Sequence, residues 1–137
     1  MLVVTSRPLL IELRSQQSLG TPSMKLLEGL PIMHFESKAE LRAWLSGNYT
    51  SSRGVWIKVA KAGARQQTVS FEELLDEGLC FGWSESKRRT AGPNFYLQRF
   101  TPRKRRGTAS QRNIARARML IAVGRMTPSG LRALGIQ

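Results

Sequence analysis

Two helix-start signals on either side of a strand-like segment set the strongest limit on how this chain can fold. Ser37 and Glu40, and again Ser70 and Glu73, have the spacing of a capping box, in which a hydroxyl accepts a hydrogen bond from the first turn and the Glu returns one. Between them, residues 55–61 (VWIKVAK) are rich in β-branched and aromatic side chains. The first part of the fold is therefore predicted to be helix, strand, helix.

A basic β-hairpin is predicted after the second helix. Its strands are expected near residues 83–89 and 94–101, joined by the turn-forming sequence AGPN. Ser110 is placed to cap a helix over 111–124. Thr127 and Pro128 predict the start of one more helix, which is too short to be stable without packing. The order α-β-α-β-β-α indicates a small single α+β domain.

The domain is predicted to occupy residues 32–137, after a poorly ordered extension over residues 1–31. Residues 15–23 are polar and rich in turn formers. No apolar run approaches the roughly 20 residues that a membrane-spanning helix needs, so membrane insertion is not expected. The single cysteine cannot form an internal disulfide, and the N-terminus is a poor export signal, so we predict a cytoplasmic location.

Charge is distributed unevenly along the chain. The net charge is +13, yet all nine acidic residues lie at or before Glu85, whereas thirteen of the 22 Lys and Arg residues follow it. Such a one-sided field attracts polyanions or an acidic partner. The alternative is that the long basic side chains only cover a solvated surface.

The sequence contains no recognisable catalytic or metal-binding constellation. His34 and Cys80 are the only residues of their types and lie far apart, whereas zinc sites use three or four ligands at close spacing. Cys80 lies among apolar residues and is expected to be a packed, unreactive thiol. Asp76 and Glu77 are adjacent on a helix and do not face each other as an acid–base pair. We therefore predict a protein that is not an enzyme and uses no metal or cofactor, with an enzyme that uses Cys80 or Glu85 as the remaining alternative.

Nucleic-acid binding is the alternative function that the basic C-terminal third allows. Its cations would contact phosphates, and neighbouring aromatic rings would stack on bases. Against this, no recognised DNA- or RNA-binding motif is present. The predicted residues of this alternative surface are Lys87, Arg88, Arg89, Lys104, Arg105, Arg106, Arg112 and Arg116.

A set of short segments occurs in this order along the chain: FES (35–37), LRAWL (41–45), GVW (54–56), DE (76–77), LCFGW (79–83), FYLQRFTPR (95–103), Asn113 and GRM (124–126). Together these segments resemble the YdeI/OmpD-associated family, also called the bacteriocin-protection family. The resemblance covers roughly residues 32–131. It implies a bacterial α+β protein that acts in envelope stress and in tolerance to bacteriocins or cationic peptides, with no established reaction or cofactor.

The chain departs from that family pattern at three places. Residues 84–86 are Ser-Glu-Ser where Ile-Asp-Gly is usual, and Ala109 stands where a tryptophan is usual. The helical C-terminal region of full-length members does not follow Gln137, which suggests a truncated member. An apolar strip left uncovered by that region would favour a homodimer.

The resemblance also implies a ligand site between the hairpin and the helix acids. Arg99 and Arg103 would act as forks for a carboxylate or phosphate in a concave pocket below an aromatic shelf, and the ligand would be an anionic small molecule or an acidic protein partner. Alternatively, both arginines pair with Asp76, Glu77 and Glu85 and only fasten the hairpin to the helix. The predicted ligand-binding residues are Arg99, Arg103, Tyr96, Trp83, Trp56 and Glu85.

Overall fold

In the part of the chain that the structure describes, a mixed five-stranded sheet and four helices form a small α+β domain, which confirms the predicted fold class. The computed structural model describes residues 25–107 and 109–136. The order of strands across the sheet is β1-β2-β3-β5-β4, with β2 and β3 parallel and the other pairs antiparallel. The strands are β1 (Leu26–Leu27), β2 (Leu30–Met33), β3 (Val55–Ala60), β4 (Trp83–Thr90) and β5 (Phe95–Pro102), and the helices are α1 (Lys38–Asn48), α2 (Phe71–Phe81), α3 (Gln111–Ala122) and α4 (Pro128–Leu134).

Helices α1 and α2 begin at the residues that the capping signals predict. The Ser70 hydroxyl accepts a hydrogen bond from the Glu73 amide at 3.1 Å, and the Glu73 carboxylate accepts one from the Ser70 amide at 2.9 Å, which completes the capping box. At α1 the Ser37 hydroxyl caps the Glu40 amide, whereas the Glu40 carboxylate reaches the amide of Glu36. Local chemistry therefore sets both helix starts.

The predicted hairpin is formed by β4 and β5, and it contains an irregularity that was not predicted from the sequence. The register between the strands shifts between Glu85 and Arg88. Gln98, which is 1% exposed, donates from Nε2 to the carbonyl oxygens of Ser86 at 3.1 Å and Lys87 at 3.0 Å. The buried amide thus satisfies carbonyls that the bulge removes from the ladder.

The largest difference from the predicted order lies before α1. Leu26–Leu27 and Leu30–Met33 form an antiparallel hairpin, and Ile32 pairs with Trp56 of β3, so the boundary predicted between residues 31 and 32 falls inside a strand. The hairpin is also fixed by the Trp56 indole, which donates to the Leu27 carbonyl at 2.8 Å. These contacts are non-local, and local composition does not reveal them. Residues 1–24 of the predicted extension lie outside the described residues.

The core lies between the sheet and its helices, with Phe100 of β5 fully buried against α2. Gly78 leaves the space for that ring, because a Cβ there would lie 2.9 Å from it. Helix α4, capped by Thr127 as predicted, closes over the C-terminal end of α2, where Thr127 donates to the Cys80 carbonyl at 2.5 Å. Among the helices that the structure describes, none combines the length and apolar character of a membrane span.

Candidate anion-binding site

A cleft of about 320 Å³ lies beside the C-terminal end of β5. Gly54 brings the start of β3 against this strand: its φ is +134°, and a Cβ there would lie 2.5 Å from the Thr101 methyl. The preceding residue, Arg53, therefore reaches the same cleft as Arg99 of β5. The residues that line the cleft, named the arginine cleft below, are Glu28, Leu30, Arg53, Arg99, Thr101, Pro102, Arg103 and Lys104.

Arg99 and Arg103 share an unusual property within this cleft. Within the described residues, the Nε atom of each guanidinium is buried and has no hydrogen-bond partner. Neither arginine forms an ion pair within 4.0 Å of a carboxylate in residues 25–107 and 109–136. Two arginines that line one cleft are therefore without a direct counter-ion in that part of the chain, whereas buried N–H donors in folded proteins nearly always have a partner.

Burial lowers the pKa of the Arg103 guanidinium, and the charge of Glu85 opposes this effect. Desolvation disfavours the charged form of any cation, and a closely paired carboxylate would reverse the direction. Glu85 and Arg103 also border a small cavity of about 10 Å³ with Trp83. Arg103 is thus a partly desolvated cation without a direct counter-ion among the described residues.

The acids of α2, which were the proposed internal partners, are held by other arginines. Glu77 is fully buried and accepts from Arg42 at 2.9 Å and from Arg125 at 2.5 Å. Asp76 receives two hydrogen bonds from Arg116, at 2.7 and 2.8 Å. The described structure therefore does not show the arrangement in which Asp76 and Glu77 neutralise Arg99 and Arg103.

Among the described residues, Glu28 is the single carboxylate that lines the arginine cleft. It accepts a hydrogen bond from Lys87 at 3.0 Å and also binds Arg89, both on β4. The hydrogen bond from Lys87 lowers the pKa of Glu28, with further contributions from the charges of Arg89 and Arg99. Because β1 and β4 are at opposite edges of the sheet, this contact requires the β1–β2 hairpin to reach across the sheet face.

The two tryptophans of the expected aromatic shelf are buried, Trp83 in the core cluster and Trp56 under the β1–β2 hairpin, which corrects their predicted place at a ligand surface. Trp56 is completely buried, with its indole bonded to Leu27, and Trp83 is 1% exposed between Trp44 and Phe100. Strand alternation points both rings at covering segments rather than at solvent. A ligand in the arginine cleft does not meet either ring as a stacking face.

Tyr96 also lies apart from the cleft. Its ring is half-buried below the Arg88 guanidinium, whose carbon is 4.2 Å from the ring centroid, and burial raises the pKa of the phenol. Arg88 contacts Phe71 of α2 as well. Of the six predicted ligand-binding residues, the structure thus brings Arg99 and Arg103 together in one cleft, with Glu85 beside Arg103.

The basic residues of the alternative nucleic-acid surface have diverse environments. Lys87 and Arg89 bind Glu28, Arg116 binds Asp76, and Arg106 donates to the Arg132 carbonyl at 3.1 Å. Lys104 lines the arginine cleft, and the side chains of Arg105 and Arg112 are exposed. Several of these charges are therefore already partly compensated within the fold.

Sequence reasoning missed Glu28, Arg53 and Thr101 as cleft residues. Glu28 and Gly29 form a two-residue hairpin turn between β1 and β2 with φ of 52° and 80°. An acidic residue followed by glycine between leucine pairs is a weak hairpin signal. Arg53 precedes a glycine, which indicates only a turn. Nothing local indicates that these residues meet β5.

Cys80 is fully buried, and burial raises the pKa of its thiol, with the charge of Glu77 adding to the effect and Arg42 opposing it. A thiol in this state is protonated near neutral pH and is a poor nucleophile. Within the described ranges, no group of three or more His, Cys, Asp or Glu residues is placed to hold a metal ion.

A second groove, of about 430 Å³, lies between α2 and α3 and has Leu75, Leu79 and Met119 in its walls. Its charged residues include Asp76 and Arg116, which neutralise each other. Apolar side chains exposed on or next to α3 are Met119, Ile121 and Val123. A homodimer through such an apolar strip stays a prediction.

A family model described as a domain of unknown function (DUF8412) matches residues 33–133. The matched range contains all the residues of the arginine cleft except Glu28 and Leu30. No curated protein and no solved structure matches the chain.

Proposed function

Since the chain belongs to the DUF8412 family, a domain of unknown function, we propose its function from the arginine cleft. The protein is a non-catalytic binding module that takes an anionic ligand between Arg99 and Arg103. The ligand presents phosphate or carboxylate oxygens, because a guanidinium binds these groups through two parallel N–H donors.

The absence of an ion pair at Arg99 and Arg103 among the described residues, in a cleft that both arginines line, carries this proposal. An oxyanion bound between the two guanidinium groups would supply the counter-charge that the described part of the chain does not provide. Arg53 and Lys104 add two more cations to the same cleft, against the one carboxylate of Glu28. The volume of about 320 Å³ is at the small end of the range for ligand pockets and favours a small molecule over a protein segment.

Isothermal titration calorimetry with tripolyphosphate tests the proposal. We expect saturable binding by the wild type, and a loss of at least about tenfold in affinity in the double variant Arg99→Gln/Arg103→Gln. The matched control is Arg65→Gln/Arg118→Gln, which removes the same charge from exposed residues outside the cleft. Equal losses in the two double variants would show that only net charge matters, and the cleft proposal would be rejected.

The alternative function, nucleic-acid binding, is distinguished from binding in the cleft by repeating the titration with an oligonucleotide at several salt concentrations. Binding to phosphate backbones weakens steeply with salt, in proportion to the number of phosphates neutralised, whereas a compact site has a shallower dependence. The burial of Trp56 and Trp83 removes two of the aromatic faces available for base stacking. A single-stranded oligonucleotide that bound more tightly than tripolyphosphate, with a steep salt slope, would favour the nucleic-acid function.

The cellular role that we attach to this binding is tolerance to bacteriocins or cationic peptides, exerted from the cytoplasm during envelope stress. Its support is the resemblance of segments such as residues 79–83 and 95–103 to the YdeI/OmpD-associated family. Bacteria that express the chain should survive a bacteriocin challenge better than bacteria that express the Arg99→Gln/Arg103→Gln variant. Equal survival at equal protein levels would separate the binding site from that role.

A further inference from the structure

Glu28 occupies a backbone conformation that glutamate does not favour. With φ of 52° at Glu28 and 80° at Gly29, the turn between β1 and β2 has the two positive values of a type I′ hairpin. Such turns prefer Asn, Asp or Gly at the first position, because other residues tolerate positive φ poorly. A glutamate at this position is therefore not explained by the turn itself.

The length of the Glu28 side chain explains what the turn does not. Its carboxylate contacts Lys87 and Arg89 of β4, which is the edge strand opposite β1 in the sheet. It also lines the arginine cleft, where the charge of Arg99 acts on it. The β1–β2 hairpin thus places one carboxylate in the arginine cleft, and the described lining of this cleft contains no other carboxylate.

From this geometry, and on the basis of the proposed function, we infer that Glu28 is a resident anion that sets which ligands the arginine cleft accepts. The Glu28 carboxylate, which Lys87 and Arg89 hold at the cleft, competes with the ligand for Arg99. Because Glu28 is tethered to the protein, its effective concentration at the cleft is roughly millimolar. A free monoanion therefore displaces Glu28 only when its own concentration is of the same order. The cleft is therefore selective for oligoanions, such as chains of phosphates, that contact several cations at once.

Binding of tripolyphosphate and orthophosphate to Glu28→Asn tests this inference. Asn suits the positive φ, so the variant keeps the turn while it removes the charge. We expect the affinity for tripolyphosphate to rise about tenfold and the affinity for orthophosphate to rise more, so that the preference for the oligoanion narrows. The control Glu36→Gln removes an exposed carboxylate that does not line the cleft, and it should change either affinity less than about twofold.

A second variant, Glu28→Gln, controls for an effect of Asn on the shape of the hairpin, because Gln keeps the length of the side chain and removes only the charge. Higher affinity in both Glu28 variants than in Glu36→Gln supports the inference. Unchanged or lower affinity in both overturns it, provided that wild-type binding still depends on Arg99 and Arg103. Absence of binding in the wild type and in every variant would instead reject the proposed function, so the two failures are distinguishable.

Discussion

Arg42 of α1 donates a hydrogen bond to the fully buried carboxylate of Glu77 on α2, over 2.9 Å. Arg125, which follows α3, binds the other oxygen of the same carboxylate, and Arg42 also donates to the Arg125 carbonyl at 2.8 Å. One buried acid therefore joins three parts of the chain. A buried carboxylate is tolerable only when it is fully paired, as it is here.

Replacing Glu77 by Ala should therefore lower the free energy of unfolding by about 3 kcal/mol, because it leaves two partly buried guanidinium groups without their shared acid. Urea denaturation followed by tryptophan fluorescence measures this loss. The control Asp76→Asn breaks the exposed bridge to Arg116 and should cost less than about 1 kcal/mol. A cost for Glu77→Ala no larger than that of the control would contradict the proposed role of the pair.

Gly130 should not tolerate alanine. A Cβ at this position would lie 2.3 Å from the Cys80 carbonyl oxygen and 2.5 Å from that of Leu79, both backbone atoms that cannot move aside. We expect Gly130→Ala to destabilise the fold by about 2 kcal/mol or more through overpacking.

The control for this change is Gly47→Ala on α1, where a Cβ would have no neighbour within 4 Å. Alanine is the better helix former, so this variant should gain roughly 0.5–1 kcal/mol. Both variants replace glycine by alanine, and we expect Gly130→Ala to lower the free energy of unfolding and Gly47→Ala to raise it. A Gly130→Ala variant that melted no lower than the wild type would show that α4 does not dock on α2 as described.

Gln98→Leu should lower the free energy of unfolding by about 1 kcal/mol, because the carbonyls of Ser86 and Lys87 lose the hydrogen bonds that the Gln98 amide donates. Hydrogen exchange provides the local readout, with faster exchange expected in β4 around the register shift. Gln66→Leu, at an exposed glutamine, is the comparison and should be close to neutral. Unchanged exchange in β4 would mean that the bulge does not depend on Gln98.

Arg103→Gln should leave the stability within about 1 kcal/mol of the wild type, or raise it, because it removes a desolvated cation that is paired with no carboxylate of residues 25–107 and 109–136. Differential scanning calorimetry in a buffer without phosphate measures the effect. A clear loss of stability would reveal an internal partner and support the alternative in which Arg103 fastens the hairpin.

Cys80 should be protected from thiol reagents in the native protein, because its side chain is buried and its pKa is raised by burial. The folded thiol keeps its proton at a pH where the unfolded thiol has lost it. The stability of the wild type relative to Cys80→Ala should therefore fall as the pH rises above about 8.5. Denaturation curves at a series of pH values measure this difference, and rapid alkylation before unfolding would contradict the prediction.

The helix starts and the hairpin were predictable because their determinants lie within a few residues. Ser70 and Glu73 form the same capping box in the structure as in the sequence, and Thr127 caps α4 as its sequence predicts. The β1–β2 hairpin was not predictable, since its strands gain their hydrogen bonds from β3 and from the indole of Trp56. Its own two-residue strand has little local signal.

The candidate site was predictable only in part. Arg99 and Arg103 were identified, and the structure places both in one cleft. Trp56 and Trp83 were expected at the ligand surface, yet both rings are buried. An aromatic residue beside cations has the same local pattern whether it packs in a core or faces a ligand, so the sequence cannot distinguish the two.

The sequence alone determined the α+β class, the helix starts and the concentration of positive charge after Glu85, since capping, periodicity and charge are properties of neighbouring residues. Only the tertiary structure decided which charges are neutralised. Glu77 forms ion pairs with Arg42 and Arg125, and Asp76 forms one with Arg116. Within the described chain, Arg99 and Arg103 are left without an ion pair. Ion pairing depends on distances of a few ångströms between residues far apart in sequence, and folding alone sets those distances.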